Sequence, residues 1–157
     1  MTWAIGKTNL LLRNVGNGTQ DLFESMKDLS EHIVQGDTLA DDKFPNETFN
    51  YQLANPPYGK DWKASEKKVR EEVKLGFKGR FGAGLPKISD GSMLFLQNVA
   101  SKLAPVNLGG GKAAIVLSGS PLFNGDAGSG PSNIRRWLFQ NDLIDCCLLY
   151  TSPSPRD

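Results

Sequence analysis

A strand that starts near Phe49 has to end at Asn55, and this junction constrains the architecture more than any other part of the 157-residue chain. Phe49-Asn50-Tyr51-Gln52-Leu53 alternates apolar and polar residues, the period of a half-buried strand, and Ala54 completes the run. Asn55-Pro56-Pro57-Tyr58 follows directly. Neither proline has an N–H for a sheet ladder. Each locks φ at about −65° and pushes the residue before it toward extended geometry. The ladder stops there, and the run beyond it is a stiff extended turn with a carboxamide before the prolines and an aromatic ring after them.

The flanking sequence supplies the rest of a layered fold. Trp3, Ile5, Leu10, Leu11 and Leu12 fit a helix that breaks at Val15-Gly16-Asn17-Gly18. Residues 20–31 are polar and have room for a turn of helix. His32-Ile33-Val34-Gln35 is a short strand candidate that ends at Gly36-Asp37-Thr38-Leu39, and residues 41–46 read as a loop. Beyond the prolines, residues 59–88 form a charged excursion with Gly76, Gly79, Gly82 and Gly84; excursions of this length are often functional or mobile. Ser89-Asp90 caps a helix with Met93, Leu94, Leu96, Val99, Ala100 and Leu103 on a helical period, stopped by Pro105 and Gly109-Gly110-Gly111. Lys112 to Leu117 reads as a buried strand, residues 125–131 as a loop, and Ser132 as the cap of a helix through Ile134, Trp137, Leu138 and Phe139. Leu143-Ile144-Asp145-Cys146 reads as the start of another strand. Alternating strands and helices predict an α/β fold with a largely parallel sheet. Ligands in such sheets bind outside the carboxyl ends of strands, where Asp37, Asn55 and Ser118 all fall.

Composition narrows the chemistry. The cysteines are the adjacent Cys146 and Cys147, and His32 is the single histidine, so a disulfide framework, a zinc site or a histidine-based triad is not expected. No apolar stretch has the length of a membrane span, and a reducing, cytoplasmic setting is the default. Charge is uneven: residues 1–59 carry four Lys/Arg and eight Asp/Glu, whereas residues 60–87 carry nine and four. A basic segment directly after the Asn-Pro-Pro-Tyr run suits a phosphate backbone, and a solvated face of mixed charge is the alternative.

The turn itself suits a reaction at a conjugated amine. Such a nitrogen is a poor nucleophile because its lone pair is delocalised. Two rigid acceptors for its N–H bonds favour the pyramidal nitrogen and return the lone pair for attack on an electrophilic methyl. Asn55 offers a side-chain carbonyl and Pro56 a backbone carbonyl. Tyr58 offers a flat face on which an extruded base can stack. A purely structural Pro-Pro turn is the alternative.

Several stretches, in order, resemble the adenine amino-methyltransferases of DNA, most closely the modification subunit of type I restriction-modification systems. They are Gly36-Asp37-Thr38-Leu39, Tyr51 to Gly59, Asp90 to Gln97, Ser118-Gly119-Ser120-Pro121-Leu122-Phe123 and Asn133 to Leu138. The resemblance covers most of residues 1–146. It implies a class I, Rossmann-like methyltransferase fold using S-adenosylmethionine, with Asn55, Pro56, Pro57 and Tyr58 as the catalytic amine-binding motif. It places Asp37, with Thr38 and Leu39, near the cofactor. It also places the basic stretch, with Lys60 and Trp62 beside Tyr58, near the DNA substrate. Specificity and restriction subunits of a type I complex are the implied partners, and no membrane is implied.

The chain departs from that pattern in lacking a glycine-rich cofactor loop after a first strand and an acidic residue after a second. Gly82-Ala83-Gly84 is no substitute, because no buried strand precedes it. The expectation is therefore a partial catalytic domain over residues 1–146 with an incomplete sheet, and a non-native or disordered tail over residues 147–157. Such a fragment is expected to be inactive alone. Two other readings stay open: methylation of a protein glutamine by the same four residues, and an inactive DNA-binding module.

Overall fold

The structure is a computed structural model and describes residues 4–6, 8 and 32–149. The chain divides into two compact units, Met1–Lys43 and Phe44–Asp157. In the first unit, residues 4–6 and 8 are helical, within the helix expected to open the chain. The rest of that helix, its break at residues 15–18 and the turn over residues 20–31 lie outside the described residues. The strand expected at His32–Gln35 is not formed: His32 is helical and residues 33–35 have no regular structure. Among the described residues no strand lies beside this run to complete a ladder.

The second unit is α/β. Strand β1 (Tyr51–Ala54) pairs in parallel with β2 (Lys112–Ile115), in the register Tyr51↔Lys112 to Ala54↔Ile115. Between them run helices α1 (Glu66–Val73) and α2 (Ser92–Ser101). After β2 come the short α3 (Ser120–Phe123) and α4 (Gly130–Gln140). The parallel ladder is bounded by Lys112 N–H donating to Asn50 O at 2.8 Å and Val116 N–H to Ala54 O at 2.9 Å, and Phe49 forms a separate parallel bridge to Leu103, its N–H donating to Lys102 O at 2.8 Å. The glycine run makes this approach possible. A side chain at Gly111 would sit 2.7 Å from Phe49 O, and Gly109 and Gly110 take φ of 95° and 73°, where β-carbons are strained.

Only one face of the strand pair is covered. Gln52 reaches α2, its Nε2 donating to Val99 O at 3.0 Å. Tyr51 and Leu53 on the other face are 82% and 88% exposed. Ala113 and Ala114 are exposed too, so β2 is not the buried strand its apolar run predicts. The core lies instead among the helices, where Met93 of α2 packs with Ile134 and Leu138 of α4, flanked by Ala83, Leu96, Ala100, Trp137 and Leu143.

Two boundaries differ from expectation. Helix α4 starts at Gly130, with Pro131 in its first turn, so Ser132 lies inside the helix and Ser129 is its N-cap residue. Pro is favoured there because the first helical N–H groups have no partner anyway. Leu143–Cys146 forms no strand; Asp142 turns the chain with φ of 50°, and no neighbouring strand is present among the described residues. Residues 150–157 lie outside the described residues. No described helix is long and apolar enough to cross a membrane.

Candidate active site

Strand β1 delivers Asn55 to the carboxyl edge of the sheet, and the prolines do what their covalent structure demands. The last inter-strand bond falls at Ala54 O, one residue before Asn55. Pro56 is buried and anchors the turn, while Asn55, Pro57 and Tyr58 are exposed. Gly59 then reverses the chain with φ of 57°. Among the described residues no N–H donates to Pro56 O. The structure brings the two side chains of the motif together: Tyr58 OH donates to Asn55 Oδ1 at 3.0 Å. A carboxamide oxygen has two lone pairs, so this bond leaves one for an incoming N–H.

The basic excursion is a folded segment. Trp62 N–H donates to Ile88 O at 3.1 Å and Gly91 N–H to Lys60 O at 3.2 Å, which ties its two ends together. Trp62, Val69 and Phe81 are buried. Arg80 grips Glu72 with Nε on Oε1 at 2.9 Å and Nη2 on Oε2 at 2.6 Å, and Nη1 donates to Asn98 of α2 at 2.9 Å. A two-pronged guanidinium–carboxylate contact has a fixed geometry, so it holds the excursion in one position. Gly82 must be glycine here, because a β-carbon would sit 2.5 Å from the Gly76 carbonyl oxygen.

This packing corrects one expectation. Trp62 is 2% exposed, its indole N–H donates to Lys87 O at 2.9 Å, and the Arg70 guanidinium lies 6.0 Å from its ring centroid. Its ring packs in the interior and offers no face to a base. Lys60 is exposed, as are Lys63, Lys67, Lys68 and Lys74. The cationic groups next to the turn thus stand on a folded segment.

Asp37 does not stand at a strand end. Its Oδ1 accepts Leu39 N–H at 3.0 Å and Ala40 N–H at 3.3 Å, and Asp41 N–H donates to Asp37 O at 2.7 Å. That is a side-chain-capped turn, a common use of aspartate. Leu39 is buried and Thr38 exposed. Asp37 Oδ1 thus serves the turn.

A polar cluster joins α2 to the segment after β2. Asp90 Oδ1 accepts Ser92 N–H at 3.0 Å and Ser92 Oγ at 2.6 Å, so Asp90 bonds the first residue of α2, while the N-cap residue is Gly91 and not Ser89 or Asp90 as expected. Its other oxygen accepts Ser120 Oγ at 2.7 Å, and Ser120 Oγ lies 2.9 Å from Ser118 Oγ. Burial raises the Asp90 pKa, but the bonds from the Ser92 and Ser120 hydroxyls and from Ser92 N–H outweigh it and hold the carboxyl below its ordinary value. A recess of about 60 Å³ lined by Lys87, Ser89, Asp90, Met93, Ser120 and Asn124 lies here, far below the roughly 300–1,000 Å³ of small-molecule sites. Sequence reading sees the helix start but not the Ser120 link, because 30 residues separate the partners.

The N-6 DNA methylase family model matches residues 1–152. The chain belongs to that family. The type I restriction enzyme MjaIX methylase subunit of Methanocaldococcus jannaschii is 29% identical over 110 residues, which cover 69% of this chain and 18% of that protein. The chain thus spans less than a fifth of the length of that relative. No solved structure matches.

Proposed function

We propose that this chain carries the amine-binding half of an adenine-specific DNA methyltransferase, of the modification-subunit kind found in type I restriction-modification systems. The observation that carries the reading is the Asn55 carboxamide, standing exposed at the end of a sheet strand on a proline-stiffened turn and bonded to the Tyr58 hydroxyl. In the full-length protein the fold implied by family membership is the Rossmann-like methyltransferase fold, of which the parallel β1–β2 pair is one part. The methyl donor implied is S-adenosylmethionine, which supplies an electrophilic methyl group; Asp37, Thr38 and Leu39 are not assigned to holding it.

The residues of the chain act on the acceptor side. Tyr58, 52% exposed, provides a ring against which a flipped adenine stacks. Asn55 Oδ1 and Pro56 O accept the two N–H bonds of its amino group, and the prolines keep both oxygens from relaxing away. The amino nitrogen is thereby held pyramidal with its lone pair outward. Lys60, Lys63 and Lys67 on the anchored excursion meet the phosphate backbone as DNA approaches. The DNA would be brought in register by the specificity subunit of the complex, with the restriction subunit as the further partner.

The test is methyl transfer by the full-length subunit, assembled with its specificity subunit, onto duplex DNA and onto a glutamine-bearing protein. Transfer to adenine in DNA supports the reading; transfer to protein alone overturns it in favour of glutamine methylation.

A further inference from the structure

The Asp90 cluster has a direction. A serine hydroxyl carries one proton. Ser120 donates its proton to Asp90 Oδ2, so in the 2.9 Å contact between Ser118 and Ser120 the donor is Ser118. The chain of bonds runs from Ser118 to Ser120 to the Asp90 carboxylate, and Ser118 is left with acceptor capacity only. On its far side the same segment is held by Arg135, whose Nη1 donates to Pro121 O at 3.1 Å and to Asn124 O at 2.7 Å. The segment from Ser118 to Asn124 is therefore gripped from α2 and from α4 together.

This segment leaves the sheet beside the amine-binding turn. Val116 N–H makes the last bond to β1, at Ala54 O, so the segment begins two residues past the end of the ladder, as the Asn55 turn begins one residue past it on the neighbouring strand. The Asn55 turn is stiffened by its own prolines. Its neighbour has no such local stiffening before Pro121, and Gly119 sits between the two serines. What stiffens it is the bond to Asp90 at Ser120, together with Arg135 at Pro121 and Asn124.

We propose that Asp90 is a positioning residue for the methyl-transfer site: acting through Ser120, it fixes the Ser118–Ser120 turn as the rigid wall beside Asn55–Tyr58 and orients the Ser118 hydroxyl. This rests on the reading of Asn55–Tyr58 as the amine-binding turn. Asp90 touches no substrate. Its effect falls on the alignment of the bound base, and so on the rate of the chemical step more than on cofactor binding.

Ser120→Ala removes the link and leaves the Ser92 bonds intact, while Ser120→Thr keeps the hydroxyl. In the full-length subunit, Ser120→Ala is expected to speed amide hydrogen exchange over residues 118–124 and to lower kcat on DNA about tenfold with KM for S-adenosylmethionine unchanged. Ser120→Thr is expected to restore both. Unchanged exchange in Ser120→Ala, or a Ser120→Thr no better than Ser120→Ala in an active protein, overturns the positioning role alone. Wild-type protein that transfers no methyl group to adenine overturns the amine-site reading, and this role with it.

Discussion

Residues 55–59 and residues 60–91 are consecutive in the chain and are built on opposite plans. The first segment is exposed at Asn55, Pro57, Tyr58 and Gly59, and owes its shape to proline rings, one buried at Pro56, and a single side-chain bond. The second buries Trp62, Val69 and Phe81, closes on itself through Lys60, Ile88 and Gly91, and is clamped to α2 by Arg80. Covalent stiffness needs no burial, so the Asn55 and Tyr58 side chains can remain in solvent. A segment rich in lysine and glutamate has no such stiffness, and it holds its shape only by sacrificing a few large side chains to the interior.

The largest test of this contrast is Asn55→Ala. Methyl transfer by the full-length subunit is expected to fall about a thousandfold, the scale of losing an oxyanion-type partner, with the unfolding midpoint of the chain unchanged. A drop in stability would place Asn55 in the scaffold instead. Trp62→Ala should do the reverse, costing about 3–5 kcal/mol in denaturant unfolding because it empties a fully enclosed site. If the protein tolerates it, the excursion is not anchored as described. Arg80→Met strands the Glu72 carboxylate and should cost about 3 kcal/mol, with Glu72→Gln in the same chain recovering part of it.

Two smaller effects sharpen the picture. Asp90 has a lowered folded pKa, so its contribution is complete above its ordinary value of 3.8 and is lost as pH falls through the folded value. The stability difference between wild type and Asp90→Asn should therefore be level from neutral pH down to about pH 4 and close below it in acid titrations followed by circular dichroism. Tyr58→Phe keeps the stacking ring and frees the second lone pair of Asn55 Oδ1. It should change kcat on DNA by no more than about threefold, whereas Tyr58→Ala should cost about tenfold or more through lost stacking.

The sequence made the exposed turn legible and hid the anchored segment. Phe49 to Ala54 alternates and then meets two prolines, a local pattern with one physical outcome, and β1 with its turn is found there. Helix α2 was equally plain from the spacing of Met93, Leu94, Leu96 and Val99. Helix α1, Glu-Lys-Lys-Val-Arg-Glu-Glu-Val, buries only Val69, too little for an apolar period to register. Trp62 sits among charged neighbours, and the carbonyl that accepts its indole N–H is at Lys87, 25 residues away. Short apolar runs misled in the other direction. His32–Gln35 and Leu143–Cys146 have strand composition, but a strand also needs a neighbour with open backbone groups. Asp37, which the family resemblance places near the cofactor, closes a turn after the first of those runs.

The pairing of β1 with β2 also sets an order of events. Asn50 Nδ2 donates to Gly110 O across 60 residues of chain, and the whole ladder spans a comparable distance. Closing so long a loop is entropically slow unless the intervening chain has already been shortened by its own structure. Helices α1 and α2 and the clamp of Arg80 on Glu72 and Asn98 do that shortening. Asn55 is then expected to acquire its neighbouring strand late in folding, and Arg80→Met should slow refolding followed by stopped-flow fluorescence.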